Sequence, residues 1–325
     1  KTTLKVLELL ASGKSISGEM IGEELGVTRM AISKCIRSLI GQGLDIDPVP
    51  GKGYQLNTPV QLLDRDMILS AIKQTGTGVQ QLEVLHAVES TSDYLLDRLK
   101  SEDVGRPICL AENQAAGRGR RERGWHAGSY RNITLSIGWK FEEGMSSLSG
   151  LGIASGIAIV NALHEAGFDK EIGLKWPNDI VWMDHKLGGL IIDVRGEHHG
   201  PCHVVLGLGL NLSLSKEDKL GIDQRVIALE EITQSSVDRN GVATLLITAL
   251  LDLFEKYQHT AFQHWRDAWD RVDRLSGREI SVMHGDQTHQ GIAAGIDSQG
   301  ALLLDQGGRE FGRFFSGDVS LRLRS

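Results

Sequence analysis

The stretch Gly117-Arg118-Gly119-Arg120-Arg121 limits this chain most, because almost none of it can be buried. Two glycines allow a positive φ or a close approach of backbone to ligand. The guanidinium groups suit phosphate and carboxylate oxygens. Arg123 adds a positive charge, Glu122 removes one, and Ala115 and Ala116 supply little apolar bulk. An exposed, mobile loop that an anion could order is the expectation. A solvated basic loop or a nucleic-acid contact explains an arginine run alone equally well, so the neighbours decide.

At 325 residues the chain is long for one core, and two or three domains are expected. Its net charge of −7 confines nucleic-acid binding to a local surface. Cys35, Cys109 and Cys202 are far apart, show neither a disulfide framework nor zinc spacing, and fit a reducing cytoplasm. With no apolar signal region and no run approaching a membrane span, a cytoplasmic protein without a membrane partner is expected.

Residues 1–60 carry seven Lys/Arg against six Asp/Glu, a net charge of +1. Leu4 to Leu10 suggest a first helix. Ser17 can cap a second running to about Leu25, and Thr28 a third after the Gly26-Val27 turn. Ile32, Ile36 and Leu39 recur at helical spacing and should face the core. Arg29, Met30, Ser33, Lys34 and Arg37 fall on other faces. The pattern predicts a helix-turn-helix whose third helix enters the major groove. Val49 to Tyr54 reads as a hairpin wing with Lys52 at its tip. The competing reading is a small helical protein-binding module. Thr58 to Asp64 reads as a linker.

From 65 to 272 the pattern is mixed α/β. Ser90-Thr91-Ser92 lies between a strand (82–87) and a helix, able to cap that helix or bind a polar ligand. A strand over 108–112 leads to Asn113-Gln114 and the arginine loop, and 133–137 alternates like a strand beside it. Lys175-Trp176-Pro177-Asn178-Asp179 interrupts a strand and should hold a lysine, an amide and a carboxylate near one point. Lys186 opens a strand containing Gly188-Gly189. Gly207-Leu208-Gly209-Leu210-Asn211 strips one face of a strand, which should leave a slot. Residues 215–226 read as an irregular, flexible loop. Trp265 and Trp269 read as core anchors. His198, His199 and His203 read as solvated or dimer-edge residues, not metal ligands. Residues 275–325 read as five short strands forming a small barrel without chemistry of its own.

Taken in order, Gly-Arg-Gly-Arg-Arg with Trp125, Lys-Trp-Pro-Asn-Asp, Lys-Leu-Gly-Gly and Gly-x-Gly-x-Asn resemble the biotin–protein ligases. The N-terminal helices with the Pro-Gly-Lys-Gly-Tyr wing resemble the bifunctional kind that also represses the biotin operon. The resemblance implies a winged helix-turn-helix DNA-binding domain (1–60), a central mixed α/β ligase domain (65–272) and a C-terminal SH3-like β-barrel (275–325).

It further implies a biotin site of Ser90, Thr91, Ser92, Gln114, Arg118, Gly119, Arg120, Lys186, Gly189, Gly207 and Gly209. The adenylate would lie against Arg118, Arg120, Arg121, Trp125, Lys175, Asn178 and Asn211. DNA would meet Arg29, Met30, Ser33, Lys34, Arg37 and Lys52. Glu122 and Gly124 stand where the family usually has a glycine and a basic residue. Val226 stands where its adenine-stacking tryptophan is expected.

The implied chemistry joins biotin to ATP as biotinyl-5′-AMP, then transfers biotin to a lysine of the biotin carboxyl carrier protein of acetyl-CoA carboxylase. Attack of a carboxylate on a phosphate brings anion to anion, so arginines, lysines and Mg²⁺ are needed. Lys186, Arg120 and Asp179 are the expected catalytic residues, with Lys186 bridging the carboxylate and the α-phosphate. Asp179 would position either Mg²⁺ or the acceptor amine. Biotin operator DNA and a ligand-linked homodimer complete the expected partners. The alternatives are a ligand-sensing repressor without ligase activity, and a lipoate-type ligase.

Overall fold

The computed structural model describes residues 2–79, 81–101, 105–125, 128–196, 200–316 and 319–323. At the N-terminus α1 (Thr2–Leu10), α2 (Gly18–Leu25) and α3 (Arg29–Gly41) precede β1 (Ile46–Val49) and β2 (Gly53–Leu56). Ser17 Oγ accepts from the Met20 amide and Thr28 Oγ1 from the Ala31 amide, each satisfying a helix-end donor. Gly26, at φ 65°, ends α2 in the left-handed region and permits the tight turn into α3. Ile32, Ile36 and Leu39 pack on Val6, Leu7, Leu10 and Ile21. The β1–β2 hairpin carries Lys52 at its turn.

One member of this core comes from far along the chain. Tyr130 is 1% exposed within the N-terminal cluster. Its hydroxyl donates to Gln42 Oε1 at 2.5 Å, immediately after α3. Tyr130 holds φ 63°, a left-handed conformation costly for a side chain of that size.

The central region runs α4 (Arg65–Gln74), β3 (Leu82–Leu85), α5 (Thr91–Ser101), β4 (Ile108–Ala111), β5 (Ile133–Phe141) and α6 (Leu151–Glu165). It continues through β6 (Ile172–Lys175), β7 (Asp179–Trp182), β8 (His185–Gly196), β9 (Cys202–Leu210), α7 (Lys216–Leu220), α8 (Leu229–Thr233), α9 (Arg239–Thr260) and α10 (Gln263–Val272). Its seven-stranded sheet has the order β3-β4-β5-β9-β8-β7-β6. The β3–β4 pair is parallel and the other pairs are antiparallel. Strand alternation sends Cys109 and Val205 into a cluster with Leu95 and Leu96 of α5. Ile108, Leu110 and Leu206 join the larger core, which also holds α6 and α9 residues. The 215–226 segment, expected to be irregular, contains α7, because Ser215 and Asp218 form a reciprocal capping box.

A fully buried ion pair fastens the linker to this region. Arg239 Nη1 donates to Glu112 Oε2 at 2.5 Å and to Gln61 O at 3.0 Å, while Glu112 Oε1 accepts from the Leu63 amide at 2.7 Å. Arg239 also donates twice to Asn132 O.

The last strands are β10 (Glu279–His284), β11 (Gln287–Ile296), β12 (Leu302–Asp305), β13 (Gly312–Phe314) and β14 (Val319–Leu323), ordered β13-β12-β11-β10-β14. Among the described residues these strands form one five-stranded antiparallel sheet, the strand content the expected barrel requires. Ile280, Val282, Leu302 and Leu304 belong to the central core, and Trp176 Nε1 donates to Gly300 O at 3.1 Å. No described helix is long and apolar enough to cross a membrane. His198 and His199 lie outside the described residues. His203 lies on β9 with Nδ1 buried and unpartnered.

Candidate active site

A cavity of about 850 Å³ opens over the β5-β9-β8-β7 part of the sheet. At one end Ser90 caps α5, its Oγ accepting from the Asp93 amide at 3.3 Å. Thr91 and Ser92 stand in the first turn of that helix. Thr91 Oγ1 donates to Gln114 Oε1 at 2.9 Å, and the Thr91 amide donates to the same oxygen at 2.8 Å. Both hydroxyls meet Ser136 Oγ, at 2.8 Å from Thr91 and 3.0 Å from Ser92. Capping therefore explains Ser90 alone, and the other two belong to a buried hydroxyl network. Sequence reasoning missed Ser136, because its strand was read only for alternation. Every position from Ile133 to Trp139 is buried, so a serine there must find a hydrogen bond.

Glycines 207 and 209 do strip one face of β9, but the bare face is roofed. The Trp125 indole lies directly on Gly209 and Ser92 Oγ on Gly207, leaving no room for a Cβ at either position. The expected open slot is thus a pair of close contacts. Trp125 Nε1 is buried without a hydrogen-bond partner.

The arginine loop is folded, not extended. The Gly119 amide donates to Arg123 O and the Trp125 amide to Gly117 O, both at 2.7 Å, closing 117–125 on itself. Arg121 sits at φ 56° and is exposed at the cavity edge. Arg118 donates to Asp193 Oδ1 and Oδ2 at 3.3 and 2.8 Å, with Asp93 Oδ1 at 2.9 Å. The two carboxylates neutralise this guanidinium locally and fix its direction. Its Nε is buried and unpartnered. Arg120 Nη1 lies 3.5 Å from Asn178 Oδ1. Burial pulls the Arg120 guanidinium below its ordinary pKa, opposed by the nearby Asp179.

The Lys-Trp-Pro-Asn-Asp segment is the β6–β7 turn, with a cis Trp176–Pro177 bond. Lys175 and Asp179 face each other across the ladder. Asn178 donates from Nδ2 to Leu190 O at 2.5 Å and accepts from the Leu190 amide at 3.0 Å, which fastens the turn to β8. Asp179 Oδ1 is 2.7 Å from Lys186 Nζ, both about one-fifth exposed. The Lys186 ammonium lies 5.7 Å from the Trp125 ring centroid. Gly189 keeps this space clear, since a Cβ there would stand 3.3 Å from Lys186 Nζ. Burial also holds the Lys175 ammonium below its ordinary pKa, with Asp179 opposing. Asn211 donates to Ile227 O at 3.2 Å and ties the end of β9 to the segment bearing Val226.

All expected ligand and catalytic residues line this one cavity, from Ser90 through Asn211. Asp223, Gln224, Val226, Met283 and Leu321 line it as well. The C-terminal sheet, read as having no chemistry of its own, supplies two apolar wall residues. Among the described residues no group of three His, Cys, Asp or Glu gathers as a metal cage. Asp179 and Asp223 are the carboxylates of the lining. Mg²⁺ in nucleotide sites commonly takes one or two carboxylates and completes its shell with phosphates and water, so this donor set suits one arriving with ATP.

The set expected to face DNA does not line this cavity. Arg29, Met30, Lys34 and Arg37 on α3 and Lys52 on the wing are exposed, while Ser33 is half-buried. Arg37 Nε donates to Ser33 O at 3.4 Å.

Three family models match the chain. The biotin/lipoate A/B protein ligase family model matches residues 84–211, an HTH domain model residues 2–55, and the biotin protein ligase C-terminal domain model residues 275–322. The bifunctional ligase/repressor BirA of Escherichia coli is 38% identical over 322 residues, 98% of this chain and 97% of that protein. The biotin–[acetyl-CoA-carboxylase] ligase of Mycobacterium tuberculosis is 33% identical over 249 residues, 75% of this chain and 89% of that protein. The fold is shared with the biotin protein ligase of Aquifex aeolicus solved in complex with biotin and ATP. That structure aligns at a TM-score of 0.62 and 23% identity, covering 76% of this chain and 100% of the other.

Proposed function

The chain belongs to the biotin–protein ligase family, and from that premise we propose how its cavity activates biotin and how its N-terminal helices use the result. The reading is an ATP-dependent ligase that forms biotinyl-5′-AMP and passes biotin to a lysine of the carrier protein of acetyl-CoA carboxylase. The N-terminal domain acts as a repressor at biotin operator DNA. We take 1–60, 65–272 and 275–325 as the domain limits.

The observation that carries the reading is the Lys186–Asp179 pair at 2.7 Å, between a hydroxyl-lined pocket and a cationic wall. In the proposed complex, Thr91, Ser92 and Gln114 hydrogen-bond the ureido group, and Gly207 and Gly209 let Ser92 and Trp125 pack onto β9 as the wall the bicycle rests against. Lys186 lies between the biotin carboxylate and the α-phosphate, lowering the repulsion of two anions. Arg118, Arg120 and Arg121 close over the phosphate, Lys175 and Asn178 flank it, and Trp125 and Asn211 border the nucleotide. Fixed donors stabilise developing charge without reorganising. Asp179 and Asp223 would hold Mg²⁺, which supplies further neutralisation of phosphate oxygens when bound. In the second step the carrier lysine attacks the activated carbonyl and AMP leaves, so no enzyme nucleophile is required.

Incubation with labelled biotin, ATP and a purified apo carrier domain tests this reading. Label on the carrier lysine supports it, and a chain that binds biotin without transferring it contradicts it. We also propose that biotinyl-5′-AMP favours a homodimer that spans two operator half-sites. Sedimentation and operator binding should both strengthen with a non-hydrolysable analogue. If neither responds, the DNA-binding domain is not a biotin-linked switch.

A further inference from the structure

Behind Lys175, Asp179 and Lys186 lies a second hollow of about 180 Å³. Its walls share those three residues and Gln224 with the main cavity. None of the hydroxyl cluster reaches it. Five cations line it, Lys175, Lys186, Arg225, Arg274 and Arg278, against two carboxylates, Asp179 and Asp184, an excess of three positive charges.

Most of these charges are already matched. Asp184 accepts from both terminal nitrogens of Arg278, at 2.5 and 3.2 Å. Asp179 faces Lys186 at 2.7 Å. Arg274 donates to the carbonyls of Lys170, Glu171 and Ile172. The side chains of Lys175 and Arg225 remain, neither with a hydrogen bond or ion pair to a described residue. Arg225 is nevertheless held in place at its backbone. The Lys186 amide donates to Arg225 O at 2.8 Å and the Ile227 amide to Lys186 O at 3.0 Å, so the 225–227 segment runs beside the start of β8. An excess of cation around a small hollow favours an anion of matching charge.

We propose that Arg225, with Lys175, binds the β- and γ-phosphates of ATP and receives pyrophosphate as it leaves. This rests on adenylate formation in the main cavity. A biotin carboxylate oxygen forms a bond to the α-phosphorus while the bond from that phosphorus to the bridging oxygen of the β-phosphate breaks. The bonding pair departs with pyrophosphate, and no proton or co-reactant is needed. Attacking and leaving oxygens stand roughly in line, so the leaving group emerges opposite the biotin end. The hollow is walled by Lys186 and by none of the hydroxyl cluster, which suits a receptor for the group that leaves away from biotin.

The test uses the full-length chain and its Arg225→Ala and Arg225→Lys variants, run in reverse from biotinyl-5′-AMP and inorganic pyrophosphate to ATP. Loss of one charge-assisted contact should raise the KM for pyrophosphate about tenfold in the alanine variant. The lysine variant should recover most of it. Transfer from preformed biotinyl-5′-AMP to the apo carrier domain should change less than about twofold in both, since pyrophosphate is absent from that step. An unchanged KM for pyrophosphate in a folded alanine variant overturns the assignment. So does an equal loss in the transfer step, which marks a structural role. If the wild type makes no ATP in reverse, the adenylation reading itself fails and takes this assignment with it.

Discussion

The arginine loop and helix α3 are both cationic, and they are built in opposite ways. In the cavity Arg118 is held by Asp193 and Asp93, Lys186 by Asp179, and Arg120 lies beside Asn178. On α3 the charges stand in water. Among the described residues the one ion pair there, Arg29 with Glu19 at 3.5 Å, has both side chains about three-quarters exposed. A half-buried cation with a fixed partner points in one direction and is weakly screened. An exposed one adapts to a phosphate backbone and acts through number and counterion release. Burial, more than charge, separates a site suited to one transition state from a surface suited to a polyanion.

The far end of that scale is Arg239, which is buried with Glu112 and holds the linker. Arg239→Ala leaves Glu112 uncompensated and should lower stability by about 3–5 kcal/mol in denaturant unfolding. A loss below about 1 kcal/mol would show that burial does not grade these cations as argued. One step outward, Arg120→Ala should let biotinyl-5′-AMP escape early, by about 1.5–3 kcal/mol, or roughly tenfold or more in off-rate. Dissociation at the wild-type rate would remove the loop as a clamp. Outermost, Lys34→Ala and Arg37→Ala should each weaken operator binding nearly uniformly across sequences and reduce the salt slope by about 1. A loss confined to one base position, with no change in slope, would make these residues base readers and blur the contrast.

Much of the site was legible because its residues come in short local motifs. Lys175 to Asp179 is a single three-residue hairpin loop with its flanking pair, and Lys186 to Gly189 lies at the start of the following strand, so spacing along the chain maps closely onto space. What escaped was non-local. Ser136 meets Thr91 and Ser92 across 45 and 44 residues, and Asp193 meets Arg118 across 75. Tyr130 enters the N-terminal core from a loop of the central region, with no periodic signal to mark it. The barrel was inferred from five punctuated strands, a pattern that fixes strands but not whether the last edges meet. The irregular reading of 215–226 overlooked Ser215 and Asp218, whose three-residue spacing is that of a capping box.

The claim that the cavity's cations are set for the transition state is tested most directly at Lys186. Biotin affinity and single-turnover formation of biotinyl-5′-AMP should be measured separately in the wild type and in Lys186→Ala. The account predicts adenylation slowed about 10²–10³-fold, the scale of losing one preorganised donor, with biotin affinity changed far less. Adenylation at the wild-type rate with saturating biotin would contradict it, because the Lys186–Asp179 pair would then hold the fold together without touching the chemistry.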